Sequence, residues 1–436
     1  MFLYYIRLGL RSLRRNPVLT ILMMLSIGFG VAASITSYAV LRVTSTNPIP
    51  QKSSQLFAVQ IDNTGPKYNF HGEPFDSLSY IDAMALLDAG KAQRQTALYP
   101  VEVSVIPDDP SGIPFNARTY AVYSTAFEMF EIPFIYGHGW STREDQDRIP
   151  VVVISRSVND KLFKGENSVG RTIHLDGHSY AIAGVMDTWD PEPLYVDPSN
   201  SSSFGNPIEL FIPFTHAVNI KLPSGGNVNC AKDPGNGWEA WLSSECTWVL
   251  YFAELPNEVA ARRYHEFLFN YAADQQRSGR FDWPANVRLR NVEEWLAYHQ
   301  VVPPEAKLSL MVSLGILISC IVNTAGLLLA KFIRRSPEIG LRRALGASRR
   351  SVHEQFLIEA MTVGLGGGIF GLLLILGIIK FVVGLVFDPS IARLVHATSG
   401  IISITLLVAI LATVFAALYP VWRAARVEPT VHLKLG

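Results

Sequence analysis

KFIRRSPEIGLRRALGASRR, Lys331 to Arg350, lies between two long apolar runs, and its reading decides how the chain is built. Seven cations (Lys331, Arg334, Arg335, Arg342, Arg343, Arg349 and Arg350) face the single anion Glu338, a net charge of +6. Basic loops between spanning helices stay on the cytoplasmic side of a membrane. The stretch is too short to be a domain and too patterned to be a plain linker. It therefore predicts the orientation of the chain and a docking surface for a cytoplasmic partner.

Outward from this loop, the apolar residues gather in four blocks: Val18 to Leu41, Leu308 to Ala330, Phe356 to Phe387 and Ile401 to Tyr419. Each reaches or exceeds the ~20 residues that a helix needs to cross ~30 Å of hydrocarbon. The average composition, 49% hydrophobic with zero formal net charge over 436 residues, decides little, because a soluble enzyme could share it. The segregation decides, since buried helices of soluble domains rarely stay uncharged this long. Arg7, Arg11, Arg14 and Arg15 precede the first block, and Arg423 and Arg426 follow the last. Both termini are therefore expected in the cytoplasm, and all four helices agree on one orientation. The first block is longer than a signal-peptide core, and its small residues Ala32, Ala33 and Ser34 sit in mid-run. It is expected to be an uncleaved anchor.

The expected map runs as follows: an amphipathic cytoplasmic helix at 1–16, spans at 17–42, 307–330, 353–387 and 400–420, and an external domain at 43–306. A cytoplasmic loop at 331–352, a short external loop at 388–399 and a cytoplasmic tail at 421–436 complete it. The fold class is a four-helix membrane protein carrying a mixed α/β external domain with an inserted β-rich subdomain. In that domain, residues 55–62 and 97–106 alternate as strands, and Pro74 to Ala89 reads as a helix. Residues 149–163 read as a strand running into a helix. Asp176-Gly177 joins two alternating runs as a hairpin turn. Residues 190–247, rich in Pro, Ser, Gly and Asn, read as loop with little regular structure. A strand at 248–255 and a helix at 257–273 follow, and 287–307 is helix-compatible apart from Pro303-Pro304.

Cys230 and Cys246 fall in the external domain, where a disulfide can persist. A bridge closing this loop of ~16 residues would contribute ~3 kcal/mol on the chain-entropy model; two unpaired thiols are the alternative. Cys320 lies within the second span and reads as packing. Gly364, Gly367, Gly368 and Gly371 give small-xxx-small spacings at 364/368 and 367/371, which favour close helix contact within or between subunits. Glu359 and Lys380 are ~31 Å apart along a helix, far enough to sit near opposite interfaces. No P-loop, HExxH or CxxC occurs. His174 and His178 flank the hairpin turn as strand residues. No catalytic, cofactor or metal site is expected, which points to a protein driven by a partner.

Residues 323–374 resemble the C-terminal permease core of FtsX-like and MacB-type ABC transporters, whose E-I-G-[IL]-R-x-A-[LV]-G-A segment forms a cytoplasmic helix docking on the ATPase. Here it reads Glu338, Ile339, Gly340, Leu341, Arg342, Arg343, Ala344, Leu345, Gly346 and Ala347, with Pro337 ahead of it. FLIEA at 356–360 opens the next span, and Pro420, Ala424, Ala425, Val427, Pro429 and Thr430 are similar to the family's ending. Residues 151–185 resemble the MacB periplasmic core, with V-V-I-S, L-F, V-G-R-T-I and A-G-V. The resemblance implies a porter-like part at about 50–116 and 216–300, and a sabre-like insertion at about 117–215. It further implies a bacterial inner-membrane permease dimer, with a second copy or a paralogue, on an ATPase dimer that carries ATP and magnesium. No cofactor is expected on this chain, and no nucleic acid. Because only about seventeen residues precede the first span, the ATPase is expected on a separate polypeptide.

On this expectation, Pro337 starts a rigid helix, Gly346 ends it, and Ile339, Leu341 and Leu345 bury in the ATPase. Glu338 and the arginines set the orientation. ATP-driven closure would then move the periplasmic domains by mechanotransmission. Three functions compete: efflux of peptides, antibiotics or other small molecules through a periplasmic adaptor and TolC-like channel, lipoprotein release, and FtsX-like control of a cell-wall hydrolase. The MacB-like core favours the first.

Overall fold

The computed structural model describes residues 16–69, 71–108, 112–200, 203–335, 337–338, 340–341, 345–346, 348–378 and 399–425. The chain divides into two units: Thr46–Val301, and a second made of the residues on either side of it. It opens with α1 (Pro17–Thr44), β1 (Leu56–Ile61), β2 (Leu78–Ser79), α2 (Tyr80–Ala89), β3 (Arg94–Ile106), β4 (Phe115–Val122) and α3 (Thr125–Met129). Next come β5 (Phe134–Gly137), α4 (Thr142–Gln146), β6 (Val151–Ser155), α5 (Arg156–Phe163), β7 (Thr172–Leu175), β8 (His178–Met186) and β9 (Leu210–Pro213). There follow α6 (Phe214–Asn219), α7 (Trp238–Leu242), β10 (Thr247–Glu254), α8 (Glu258–Arg277), β11 (Val287–Asn291) and α9 (Val292–Tyr298). Three long helices close the order: α10 (Pro304–Arg334), α11 (Arg349–Ile378) and α12 (Ser399–Ala425).

In the second unit, α1, α10, α11 and α12 are each long and apolar enough to cross a membrane. Pro17 and Pro304 sit in the first turns of α1 and α10, where a fixed φ is an advantage and the missing N–H costs nothing. Pro303 is held extended just ahead of α10, as proline imposes on the residue before it. Helix-compatible sequence at 287–307 is therefore not one helix: β11 and α9 occupy its first part. The helices meet closely where side chains are small. A Cβ on Gly371 would lie 3.1 Å from the Gly28 carbonyl oxygen of α1, and one on Gly364 would lie 2.9 Å from Ile410 Cα of α12. The two spacings thus serve different neighbours within one chain, 367/371 facing α1 and 364/368 facing α12. Cys320 is a free thiol against Gly30. Ser37 and Ser309 hydroxyls meet at 3.0 Å between α1 and α10. Large apolar side chains such as Met311, Ile318 and Phe415 face outward, as lipid contact requires.

The other unit is built on one eleven-stranded sheet in the order β11-β1-β10-β3-β4-β9-β6-β8-β5, with β2 on β10 and β7 bridging β3 and β8. Among the described strands, only β4–β9 and β6–β8 run parallel. β1 and β10 are buried along their whole length because apolar clusters cover both faces: Phe57 and Tyr251 point to one, Leu56 and Phe252 to the other. The sheet runs unbroken across residues 116–117, expected to divide two subdomains, since β4 pairs with β3 on one side and β9 on the other. The hairpin turn holds Asp176 at φ +47° and Gly177 at +82°, the pair of left-handed residues a tight two-residue turn needs.

Two expectations need correction. The helix read from Pro74 starts only at Tyr80, where Ser79 Oγ accepts the Asp82 N–H at 3.1 Å and ends the short β2 pairing. The stretch 190–247 is not all loop: it holds β9, α6 and α7, and β9 is wholly buried in mid-sheet. Four residues are too few to show a period, and the surrounding Pro and Gly hid them.

Candidate functional site

The basic loop leaves α10 through Arg335. Of the predicted coupling residues, Pro337, Glu338, Gly340, Leu341, Leu345 and Gly346 are described; Ile339, Arg342, Arg343, Ala344 and Ala347 lie outside the described residues, as do all but the last residue of the helix expected at 1–16 and of the loop expected at 388–399. The Leu345 N–H donates to the Leu341 carbonyl at 3.0 Å, one turn of helix. Residues four apart share a helix face, so these two leucines form one apolar patch. Leu341 is 61% exposed and Leu345 80%. Gly346 follows at φ +97°, a conformation that ends a helical turn and that a side chain resists. Ser348 then caps α11, its Oγ accepting the Ser351 N–H at 3.2 Å.

Directly beside this segment lies an arrangement that sequence reading missed. Glu359, expected near the interface opposite Lys380, turns its carboxylate into the helix bundle. Lys331 Nζ lies 2.5 Å from its Oε1, and Arg335 Nη1 lies 3.3 Å from its Oε2. The Lys331 and Glu359 side chains are 0% and 1% exposed. The lysine contact falls outside hydrogen-bond geometry, so it acts as a charge pair, whereas Arg335 donates a hydrogen bond. Phe332 and Phe356, the neighbours in sequence of Lys331 and Gln355, pack against each other between α10 and α11 with centroids 4.1 Å apart and a tilt of 36°. Two of the seven cations of the loop are therefore internal struts tying the end of α10 to α11. The signal was present: Lys331 and Arg335 are four apart, and Glu359 interrupts an apolar run. Lys380 lies outside the described residues.

In the external unit, Cys230 and Cys246 form a disulfide that encloses α7. His174 contacts Ser179 within its hairpin and Asp108 just after β3. Among the described residues no group of three or more His, Cys, Asp or Glu could hold a metal.

Residues 20–233 match the family model described as MacB-like periplasmic core domain, and residues 310–429 match FtsX-like permease C-terminal. A macrolide export ATP-binding/permease protein MacB of Syntrophobacter fumaroxidans is 24% identical over 478 aligned residues, which cover 98% of this chain and 63% of that protein. The protein of the same name from Burkholderia pseudomallei is 35% identical over 323 residues, covering 72% of this chain and 42% of that one. The chain thus spans less than two thirds of the length of these relatives. The periplasmic region of MacB from Actinobacillus actinomycetemcomitans superimposes with a TM-score of 0.38 at 14% identity, covering 60% of this chain and 98% of that structure.

Proposed function

We propose a coupling mechanism from the premise that the chain belongs to the MacB-type, FtsX-like permeases of ABC transporters, to whose two family models successive stretches of it match. Members of this class work with ABC ATPases. The segment from Pro337 to Gly346 docks on such an ATPase, and the observation that carries this is the exposed Leu341–Leu345 pair on a turn closed by Gly346. Two large apolar side chains on a water-facing loop are unfavourable alone and favourable in a groove, at ~25 cal/mol per Å2 of apolar surface covered. Movement of the segment passes into α10 and α11 through the Lys331–Glu359–Arg335 triad, which resists separation of the two helix ends. The chain enters the external unit from α1 and leaves it into α10, so both flanking helices are in line with that unit along the sequence.

On this account ATP hydrolysis drives a conformational change in the periplasmic domain, and the work done is efflux from the periplasm through an adaptor and outer-membrane channel. What supports efflux is the name shared by the relatives, macrolide export. Substrates in this class would be peptides, antibiotics or similar small molecules. The permease sits in the inner membrane with both ends of the chain cytoplasmic, as the flanking arginines favour.

The test is the Leu341→Asp/Leu345→Asp double variant, purified from membranes with its ABC ATPase. Loss of copurification and of stimulated ATP hydrolysis, at least tenfold, with normal membrane insertion is the expected result. Unchanged stimulation would refute docking through this segment.

A further inference from the structure

The external unit contains a cleft of about 290 Å3 whose construction serves nothing described so far. Its floor is a ladder of nearly parallel rings. Tyr123 and Phe214 lie 5.1 Å apart at 24°, Phe214 and Tyr80 6.3 Å apart at 8°, and Tyr80 and Trp248 6.0 Å apart at 5°. Phe214 and Trp248 are buried, whereas Tyr80 and Tyr123 are half-buried and turn part of their surface to the cleft. The facing wall is α7, which the Cys230–Cys246 disulfide holds in a closed loop. From that wall Trp238 brings an indole N–H that is shielded from solvent and has no acceptor among the described residues.

Two cations stand at the rim, and both are held in an unusual way. Arg148 has φ +55° and Lys221 φ +62°. Bulky residues seldom adopt this left-handed conformation, and where they do the strain tends to mark functional positions. Arg148 Nη1 donates to Asn219 Oδ1 at 3.0 Å, which aims the guanidinium. No carboxylate lies within ion-pair distance of either cation among the described residues. Glu239, also lining the cleft, is exposed.

Two half-buried tyrosine rings and two exposed cations with no carboxylate within ion-pair distance, on the lining of one cleft, point to one chemical class. We propose that the cleft binds a small flat aromatic carboxylate, its ring against Tyr80 and Tyr123 and its anion held by Arg148 and Lys221. The volume lies near the lower limit of the ~300–1,000 Å3 usual for small-molecule sites, which restricts the ligand to about two fused rings. The site lies wholly in the external unit and does not depend on how that unit is coupled to ATP.

Equilibrium dialysis of 2-naphthoate against the full chain in detergent, with empty micelles subtracted, tests this. Neutral 2-naphthylmethanol and cationic 2-naphthylmethylamine carry the same ring system and control for partition into detergent. Naphthoate should bind once per chain and at least tenfold more tightly than either analogue. Arg148→Asn/Lys221→Asn should weaken it at least tenfold. Both positions are exposed, and asparagine tolerates left-handed backbone, so this variant keeps its fold. Binding no greater than to empty micelles, equal binding of the amine, or unchanged affinity in the double variant would overturn the proposal.

Discussion

Glu359 is the residue on which the cytoplasmic end of the bundle turns. Glu359→Gln leaves Lys331 buried without its counter-charge, and breaking one side of a buried pair typically costs ~3–5 kcal/mol. A fall in the melting temperature of the detergent-solubilised chain should report it. Lys331→Met/Glu359→Leu, which removes both charges and keeps the volume, should lose much less; equal losses would show that packing, not charge, holds the helices. Sequence alone did not pair these residues, because a cation near a helix end reads first as a topology marker. Asp76 offers a second test. Burial pushes its carboxyl up to about 6, with the charge of Asp197 adding and Arg290 opposing. A raised acid binds its proton more tightly folded than unfolded, so its contribution is full below pH 3.8 and lost as pH rises through about 6. His299, 3.6 Å away and lowered to about 4 by burial, works in the opposite sense between that value and 6.5. Comparison at fixed pH isolates the acid: Asp76→Asn should gain roughly 1–3 kcal/mol over the parent at pH 7 and nothing at pH 3.5.

Elements were legible in proportion to their length and to how plainly their period showed. The four spanning helices announced themselves by uncharged runs, and β7–β8 by Asp176-Gly177. The hidden strand β9 and the late start of α2 depended on tertiary pairing that no local pattern records: β9 is a strand because β4 and β6 offer it two edges. The glycines of α11 were readable as contact points but not as to their partners, since spacing fixes a face and not its neighbour. Gly364→Val should force α12 away and lower stability by about 1–3 kcal/mol, the usual scale of overpacking. Gly377→Val, where a Cβ meets nothing within 4 Å, is the matched control and should change little.

At the scale of the whole molecule, one chain combines a membrane helix bundle with a periplasmic-type α/β unit, and the sequence showed both because bilayer and water select such different compositions. A division of the external unit was less legible, since one sheet runs through the position where it was expected. The central claim is that ATP binding changes the external unit through Leu341 and Leu345. Hydrogen exchange over residues 46–301 of the complex with its ABC ATPase, with and without a non-hydrolysable ATP analogue, measures this directly. The account predicts a nucleotide-dependent change in protection that disappears in Leu341→Asp/Leu345→Asp. The same change persisting in that variant, or no change in the parent complex, would contradict it.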